Sequence, residues 1–399
     1  MFTCYIRGTM KHVDRFPDSP HPIANHLKSF RQQKGLSQSE LAALAGVTRQ
    51  AISAIESNQY LPATGVALQL ASALGCRVED LFSLAPAEET IGGTMVGHMP
   101  VDSTPQAPIR VKVSMVGKRV VIRPVENLGE LLPYTVSADG YMNSPSLGSS
   151  VRVTLARERH AIEQEIWVAG CDPAIFLAGE YLRRQKDSAS VVGWTMGSRA
   201  ALHALERCEV HVAGIHLYDP ISGESNLPFL RRWLKGSNYA VITFATWEEG
   251  LLVHPGNPKS IRTVADLANP AVTLVNREEG SGARLLLDQR LRAAEIAPAM
   301  IRGYDQIVRS HFAVARAVAT HQADVGISVR SAARQFGLDF ISLQTARYDL
   351  VVPKLYLTSH PTLSHLFDTL TIKAFRHEIE SLGGYDTSET GKLHCLRSA

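Results

Sequence analysis

The sequence predicts a multidomain protein in which an all-α N-terminal domain is followed by a small β segment and a large α/β domain. Residues 23–84 are dense in helix signals, and residues 109–160 contain apolar runs with the period of two that is typical of strands. From Ile166 onward, short apolar runs alternate with helical patterns, and separate short strands are expected at YAVITF, LLVHP, FISL and YDLVVP, which begin at residues 239, 251, 340 and 348. Because strands that alternate with helices form covered sheets, we expect a mostly parallel sheet in this third part.

The composition excludes several classes of protein. Hydrophobic residues make up 45% and charged residues 20% of the 399 residues, as in soluble globular proteins, so a collagen-like or wholly disordered chain is excluded. The formal net charge of +3 does not by itself indicate a nucleic-acid partner. No apolar stretch of about 18 residues is present, and no secretory signal precedes the helices, so we expect no membrane span.

The cysteines and the N-terminus indicate the compartment. The five cysteines are odd in number and form no C-x-x-C pair, which favours reduced thiols over disulfides or a structural zinc site. We therefore predict a cytoplasmic protein with no metal and no cofactor. Residues 1–19 are expected to form a disordered lead, and whether Met1 or Met10 is the true start stays open.

The strongest local signal is a pair of short helices joined by a tight turn. Ser37, with a glutamate three residues later, forms a capping box that begins one helix. Gly46 supplies the positive φ that the turn requires, and Thr48 caps the next helix, in which Ile52 and Ile55 face inward. This spacing is typical of a helix-turn-helix.

With amphipathic helices on both sides, the pair resembles the second and third of the five helices in the lambda-repressor-like domain of the Xre regulator family. The resemblance covers about residues 20–84, and a helix pair without a role in DNA binding is the alternative. It implies that Gln38 contacts a phosphate and that Arg49, Gln50 and Ser53 reach base edges in the major groove. The candidate DNA-binding residues are Lys34, Gln38, Thr48, Arg49, Gln50, Ser53 and Asn58.

The charge and size of this unit favour a dimer on operator DNA. Between Asn25 and Asn58 the sequence has four cationic and two anionic side chains, which is a modest positive excess. A unit this small binds one half-site, so we expect a homodimer or higher homo-oligomer on double-stranded operator DNA. Ala54 is a departure, because some relatives place a further polar reader at this position.

The middle of the chain is predicted to be a linker followed by a β segment. Residues 85–108 are rich in Pro, Gly, Thr and Ser, which indicates a linker. In the β-rich connecting segment 109–160, two runs that start at Ile109 and Arg119 flank a Gly117-Lys118 turn and predict a hairpin. Whether this segment joins the sheet, dimerises or acts as a spacer stays open.

Several segments of the α/β region resemble the type II, molybdate-type, periplasmic-binding-protein-like domain. They include the stretches that begin at Trp167, Gly214, Asn276, His311 and Gly384, and the match covers about residues 166–392. The resemblance implies a two-lobed ligand-binding domain over 161–399, with a ligand in the cleft. Lobe 1 is expected at about 161–248 and 350–399, and lobe 2 at about 249–349.

Four strand-to-helix corners are expected to line this cleft. Bare backbone N–H groups at such corners suit a small polar or anionic ligand, to which a serine hydroxyl and a guanidinium add charge-assisted bonds. The candidate ligand-binding residues are Cys171, Asp172, Thr195, Gly197, Ser198, His216, Gly280, Ser281, Gly282, Ala283, Arg284, Ser310 and His311.

The residues leave structural alternatives open at most of these positions. Asp172 is also a simple helix N-cap, Cys171 a small buried residue, and the two histidines satisfied core residues. Arg284 has Glu278 or Glu279 as alternative partners, and Ala283 stands where the family commonly has threonine.

The resulting hypothesis is a one-component bacterial transcription regulator whose cleft senses a small effector. No G-x-S-x-G, H-E-x-x-H or P-loop motif is present, so we do not expect an enzyme. The effector is expected to be an oxyanion, with molybdate or tungstate suggested by resemblance, or a small organic anion. The alternative is a cytoplasmic molybdate-related or molybdenum-cofactor-related binding protein whose N-terminal unit contacts proteins.

Overall fold

A computed structural model describes residues 23–84, 89–98, 108–129, 132–142, 150–186, 189–234 and 238–396. The chain forms two compact units, Met1–Glu89 and Thr90–Ala399, and each is described by itself. The disordered lead predicted at 1–19 and most of the predicted linker lie outside the described residues. Among the described helices, none is long and apolar enough to cross a membrane.

Within residues 23–84 the first unit has five helices, as predicted. They are α1 (Leu27–Gln33), α2 (Gln38–Leu44), α3 (Arg49–Glu56), α4 (Thr64–Leu74) and α5 (Val78–Leu81). An antiparallel strand pair, β1 (Ile23–Asn25) and β2 (Phe82–Leu84), joins the two ends of the unit and was not predicted.

The local signals of the helix-turn-helix are confirmed. The Ser37 hydroxyl accepts a bond from the Glu40 N–H while the Glu40 side chain accepts one from the Ser37 N–H. Gly46 has φ +64° in the turn, and the Thr48 side chain caps α3. Ile52 is fully buried in the core of this unit. Local capping and an apolar face therefore fix the angle at which α3 leaves the core.

The second unit begins with a closed five-stranded barrel. Its strands are β3 (Thr90–Met95), β4 (Ile109–Val116), β5 (Arg119–Pro124), β6 (Gly140–Met142) and β7 (Ser150–Leu155), in the order β3-β5-β4-β6-β7. The predicted hairpin is present as β4 and β5, with Gly117 at φ +63°. Strand β3 lies in the stretch that the sequence predicted to be a linker. The prediction was wrong because the glycines and threonines of β3 are typical of linkers and do not indicate its pairing with β7.

Buried charges join the barrel to the α/β part. The ammonium of Lys112 on β4 donates hydrogen bonds to Asp139 Oδ1 and Glu165 Oε2, both at 2.8 Å. Arg157 bonds to the same two carboxylates. Since Lys112 and Asp139 are both fully buried, this pairing fixes the barrel against the first strand of the α/β sheet.

The α/β part is built on a ten-stranded mixed sheet in the order β15-β14-β16-β13-β17-β10-β8-β9, with β18 and β19 beside β13. Its strands are β8 (Glu165–Gly170), β9 (Ser190–Thr195), β10 (Val212–Ile215), β13 (Tyr239–Val253), β14 (Leu274–Arg277), β15 (Ile307–Val308), β16 (Val325–Val329), β17 (Asp339–Pro353), β18 (Tyr385–Asp386) and β19 (Leu393–Cys395). A small pair, β11 (Tyr218–Asp219) and β12 (Glu224–Ser225), lies outside it.

The helices of the second unit pack on the sheet, except the first, which packs on β4 of the barrel. They are α6 (Arg159–Glu163), α7 (Ile175–Gln185), α8 (Ser198–Glu206), α9 (Leu227–Trp233), α10 (Gly282–Ala293), α11 (His311–Ala319), α12 (Arg330–Gln335), α13 (Lys354–Ser359), α14 (Leu363–Leu370) and α15 (Lys373–Ser381). Short 3-10 helices lie at Val125–Leu128, Leu132–Tyr134, Val264–Ala268 and Pro298–Met300.

Two long antiparallel strands, β13 and β17, connect the two lobes. The sequence predicted two short strands in place of each, because a polar stretch interrupts the apolar pattern midway. Each instead runs for 15 residues, and they pair along their length, so the sheet is mixed rather than mostly parallel. Strands β8, β9 and β10 form one end of the sheet and β14, β15 and β16 the other, which places both lobes on one framework.

Candidate DNA-binding and ligand-binding sites

Helix α3 presents polar side chains to solvent at its N-terminal end. Arg49, Gln50 and Ser53 are exposed, while Ile52 and Ile55 of the same helix are fully buried. Thr48 is exposed as well, but its hydroxyl accepts a bond from the Ala51 N–H and is occupied as a cap. The free face of α3 therefore offers one guanidinium, one amide and one hydroxyl, the donor and acceptor set that reads base edges.

A buried ion pair orients Gln38. Arg31 lies 2.6 Å from Glu56, and the Gln38 amide donates a bond of 2.9 Å to the same carboxylate. Burial raises the pKa of Glu56, but the bonds from Arg31 and Gln38 outweigh it and lower the pKa overall. Arg31 is therefore a structural cation, and the free positive charge of the unit comes from exposed residues such as Lys34.

The last predicted residue of this interface has a structural partner. Asn58 adopts a left-handed conformation with φ +55°, and its side-chain oxygen accepts a bond from Asn25. Both asparagines link α3 to the start of the unit, since the Asn25 amide also donates to the Ile55 carbonyl. Asn58 thus lies in a fixed turn that follows α3.

The four predicted corners of the α/β part lie together at the lobe junction. The Arg199 N–H donates to the Gly280 carbonyl, and the Met196 N–H donates to the Gly170 carbonyl. A Cβ at Gly282 would lie 2.5 Å from His216 Nδ1, so α10 meets lobe 1 without room for a side chain. A Cβ at Gly197 would lie 3.1 Å from Ser281 Cα, so the corner before α8 also lies close to the start of α10.

At the centre of this junction, three side chains converge that are distant in the sequence. The ligand-type atoms of Cys171, His216 and His311 all lie within 4.8 Å of one another, and all three residues are buried. His216 contacts Glu249 through Nδ1. His311 Nδ1 lies 3.1 Å from the Ser328 hydroxyl. We call Cys171, His216, His311 and Glu249 the junction cluster.

The two histidines of the junction cluster have opposite electrostatic surroundings. Burial lowers the pKa of His216, but the neighbouring Cys171 and Glu249 outweigh it and raise the pKa to about 10. Burial and the nearby Arg277 guanidinium hold the pKa of His311 well below its usual range. At neutral pH His311 is therefore a neutral imidazole with a free lone pair.

Asp172 lies beside the junction cluster with one oxygen unpaired. Its Oδ1 accepts bonds from the Ala174 N–H and from the Tyr385 hydroxyl at 2.9 Å, so it does cap the turn before α7. Its Oδ2 has no hydrogen-bond partner in the described part of the chain. Burial raises the pKa of Asp172 to about 6, against the lowering effect of these bonds.

Most of the predicted hydroxyls are occupied by the local fold. Ser281 and Ser310 cap α10 and α11, and the Ser198 hydroxyl accepts a bond from the His216 N–H. Ala283 is buried in the lobe 2 core, whereas Thr195 is exposed at the end of β9. These serines hold the corners in place, which leaves the junction cluster, Asp172 and a buried guanidinium described below as the groups open to a ligand.

The guanidinium at the junction belongs to Arg277 rather than to Arg284. Arg284 bonds to Asp288 and lies over the Tyr304 ring at 4.1 Å, so its partner is neither of the glutamates that the sequence offered. Arg277 is fully buried, pairs with Glu278 at 2.8 Å and keeps Nη1 without a partner among the described residues.

Sequence reasoning missed Glu249, Trp247, Arg277, Tyr348 and Tyr385. Trp247 packs against His216 at 5.2 Å and stacks on Tyr348 at 4.7 Å, so the junction cluster has an aromatic wall. The signal that could have found Glu249 is a charged pair, Glu248-Glu249, in the middle of an otherwise apolar long strand. Such a charge inside a covered strand needs a buried partner.

Comparisons with known proteins agree with this division. Residues 27–81 match the family model described as "Helix-turn-helix", and residues 179–371 match the one described as "PBP superfamily domain". An uncharacterised HTH-type transcriptional regulator of Bacillus subtilis, YgzD, is 40% identical over 62 residues, which are 16% of this chain and 94% of that protein.

The α/β part has its own relatives. An uncharacterised protein of Bacillus subtilis, YvgK, is 36% identical over 197 residues, which are 49% of this chain and 63% of that protein. This chain thus spans less than two thirds of the length of that relative. A substrate-binding protein of a phosphate ABC transporter from Clostridium perfringens, solved with bound phosphate, has 13% identity and a TM-score of 0.44, over 55% of this chain and 98% of that one.

Proposed function

We propose that this chain, which belongs to the helix-turn-helix transcriptional regulators and carries a PBP superfamily domain, couples operator binding to a small effector held at its lobe junction. The observation that supports the proposal most directly is the exposed face of α3 within a matched helix-turn-helix. In this proposal the protein acts in the cytoplasm as a homodimer, with one α3 in each half-site.

The proposed DNA contacts divide by chemistry. Arg49, Gln50 and Ser53 read base edges, because they are exposed at the N-terminal end of α3. Gln38 and Lys34 contact phosphates, one as an amide oriented by Glu56 and one as a free cation. Thr48 and Asn58 serve through the backbone that they fix at either end of the helix.

The junction supports an effector that presents positive charge or hydrogen-bond donors to Asp172 and an acceptor to the unpartnered Nη1 of Arg277. The carboxylates of Asp172 and Glu249 line it, and they oppose the bare oxyanion that the sequence favoured. Lobe closure on the effector changes the geometry of the dimer, with a coupling free energy of about 1–3 kcal/mol. A thermal-shift screen that includes molybdate, tungstate, sulfate and organic acids tests the anionic alternative.

Replacing the base-reading pair tests the DNA-binding part. Arg49→Ala combined with Gln50→Ala removes two base contacts worth about 1–3 kcal/mol each, so specific affinity falls roughly 30-fold or more. The probe is DNA that the wild-type chain selects from a randomised library, measured by fluorescence anisotropy. Binding to unselected DNA should change much less.

A matched control uses the same residue types elsewhere on the unit. Arg77→Ala combined with Gln69→Ala removes an exposed Arg and an exposed Gln outside α3, and it should leave the affinity for the selected DNA within a few-fold. Equal losses in the two double variants, or no loss in the α3 variant, would overturn the assignment of α3 as the reader. A protein-contact role for the N-terminal unit is then favoured.

A further inference from the structure

We propose that the junction cluster binds a late first-row transition metal ion, with Cys171, His216 and His311 as ligands. The three residues lie at the ends of β8 and β10 and at the start of α11, so no single sequence motif contains them. This inference deepens the proposed function by naming its effector class, and it rests on that function only for its regulatory consequence.

The contacts of the two histidine rings are those of metal ligands. In each ring Nδ1 faces a partner from a neighbouring strand, Glu249 for His216 and Ser328 for His311. In each ring Nε2 is buried and has no hydrogen-bond partner in the described residues. A carboxylate or hydroxyl on Nδ1 fixes the ring and leaves Nε2 to the metal, which is the usual outer shell of a metal-bound histidine.

Without a ligand, the two unpartnered histidine nitrogens lower the stability of the folded chain. A buried nitrogen that lacks a partner costs about 1–3 kcal/mol, and two such nitrogens lie within the same small volume. A structural role would pair them with each other or with a nearby hydroxyl. A metal ion that displaces the His216 proton bonds to both nitrogens at once and takes the Cys171 sulfur as a third ligand.

The distances are compatible with one ion. Zinc bonds of about 2.3 Å to sulfur and 2.0–2.1 Å to nitrogen place neighbouring ligand atoms about 3.5 Å apart. The three ligand atoms lie within 4.8 Å of one another, so small side-chain movements close the site. Asp172 Oδ2, buried and unpartnered beside Cys171, is available at the open side.

The ligand set selects the class of metal. One thiolate with two imidazoles suits Zn²⁺, Co²⁺ and copper, whereas Mg²⁺ and Ca²⁺ prefer oxygen ligands. The carboxylate of Glu249, which contacts His216 Nδ1, and the thiolate of Cys171 balance the charge of a divalent ion in this buried site. The aromatic wall of Trp247 and Tyr348 packs beside His216.

The position of the ligands gives the ion a mechanical role. Cys171 and His216 follow strands at one end of the sheet, while His311 begins a helix that packs on β14 and β16 at the other end. An ion bound by all three therefore links the two lobes across β13 and β17. Its binding stabilises the closed arrangement of the lobes.

Cobalt titration of the full-length chain tests the site. After treatment with a chelator, the wild-type chain should bind one Co²⁺ per chain, with a thiolate-to-cobalt charge-transfer band and tetrahedral visible bands, and Zn²⁺ should displace it. Cys171→Ser should abolish the charge-transfer band, and His311→Gln should lower the affinity at least tenfold. Cys208→Ser and His203→Gln are the matched controls and should behave as the wild type.

A variant of the carboxylate that contacts His216 separates ligation from general misfolding. Glu249→Gln keeps the three ligands and should lower Zn²⁺ affinity by about 10–100-fold, measured against a chromophoric chelator. Circular dichroism of each variant establishes that it is folded. The proposal is overturned if the folded wild type binds neither Co²⁺ nor Zn²⁺, or binds them equally well after Cys171→Ser.

Two outcomes distinguish this inference from the proposed function. If the chain binds its selected DNA but no metal, the metal site is wrong and the regulator assignment stands. Rapid alkylation of Cys171 in a metal-free chain that binds no Co²⁺ would instead favour a Cys–His–Glu nucleophile, which also overturns the metal site. If Zn²⁺ binds at the cluster and the chain binds no DNA, the regulatory role fails and the metal site stands.

Discussion

Gly282 is a position at which the lobe junction has no room for a single added methyl group. It is the first residue of α10, with no positive φ, and alanine elsewhere in a helix favours folding by up to about 1 kcal/mol relative to glycine. A Cβ here would lie 2.5 Å from His216 Nδ1 and closer still to the His216 carbonyl oxygen. Because ordinary contacts exceed 3 Å, α10 or the His216 turn must move.

The expected effect of Gly282→Ala is a loss of stability despite its gain in helix propensity. Overpacking of this kind costs about 1–3 kcal/mol, so we expect the second unit to lose roughly 1–2 kcal/mol of unfolding free energy in net terms. All four tryptophans of the chain lie within residues 167–247, so tryptophan fluorescence during urea unfolding reports on this unit alone.

Gly92→Ala is the matched control for this experiment. Gly92 lies on β3 in the same unit, is exposed, and has open space around a Cβ without a positive φ. We expect it to change the urea midpoint little. If Gly282→Ala were as stable as Gly92→Ala or the wild type, the close approach of α10 to His216 would be wrong.

Two further predictions concern the buried charges. Lys112→Met should lower the unfolding free energy of the second unit by about 3–5 kcal/mol, since it leaves Asp139 and Glu165 buried with reduced compensation. The control Lys118→Met, at an exposed position, should not lower it, and urea unfolding measures both variants. Arg31 and Gln38 lower the pKa of Glu56 in the folded state, so its carboxylate stabilises the first unit at pH values above the unfolded pKa of 4.5. This stabilisation is lost as the pH falls through the folded pKa. Hydrogen exchange of α1 and α3 amides should show this acid loss in the wild type and less of it after Glu56→Gln.

The first unit was predictable almost residue by residue because its signals are local. The Ser37 capping box, the Gly46 turn and the Thr48 cap each depend on neighbours within a few positions, and each is present. The pairing of β1 with β2 was missed because it joins segments about 60 residues apart and each strand has only three residues.

The lobe junction was only partly predictable because it depends on long-range topology. The four corners were found from their glycines and serines, and they do converge. Arg284 pairs with Asp288 one helical turn away, an i,i+4 spacing that is present in the sequence and that the prediction missed. Arg277 was therefore not expected as the guanidinium of the junction. Glu249 was missed because two short strands were expected where β13 is continuous.

The central claim is that occupancy of the lobe junction changes DNA binding by the same chain. Its most direct test is the dissociation constant of the full-length protein for its selected DNA, measured by anisotropy with a chelator and then with saturating Zn²⁺. We predict a change of about 5–150-fold in the wild type and no change after Cys171→Ser. Equal dissociation constants with and without Zn²⁺, in a wild-type chain that has bound the ion, would contradict the claim.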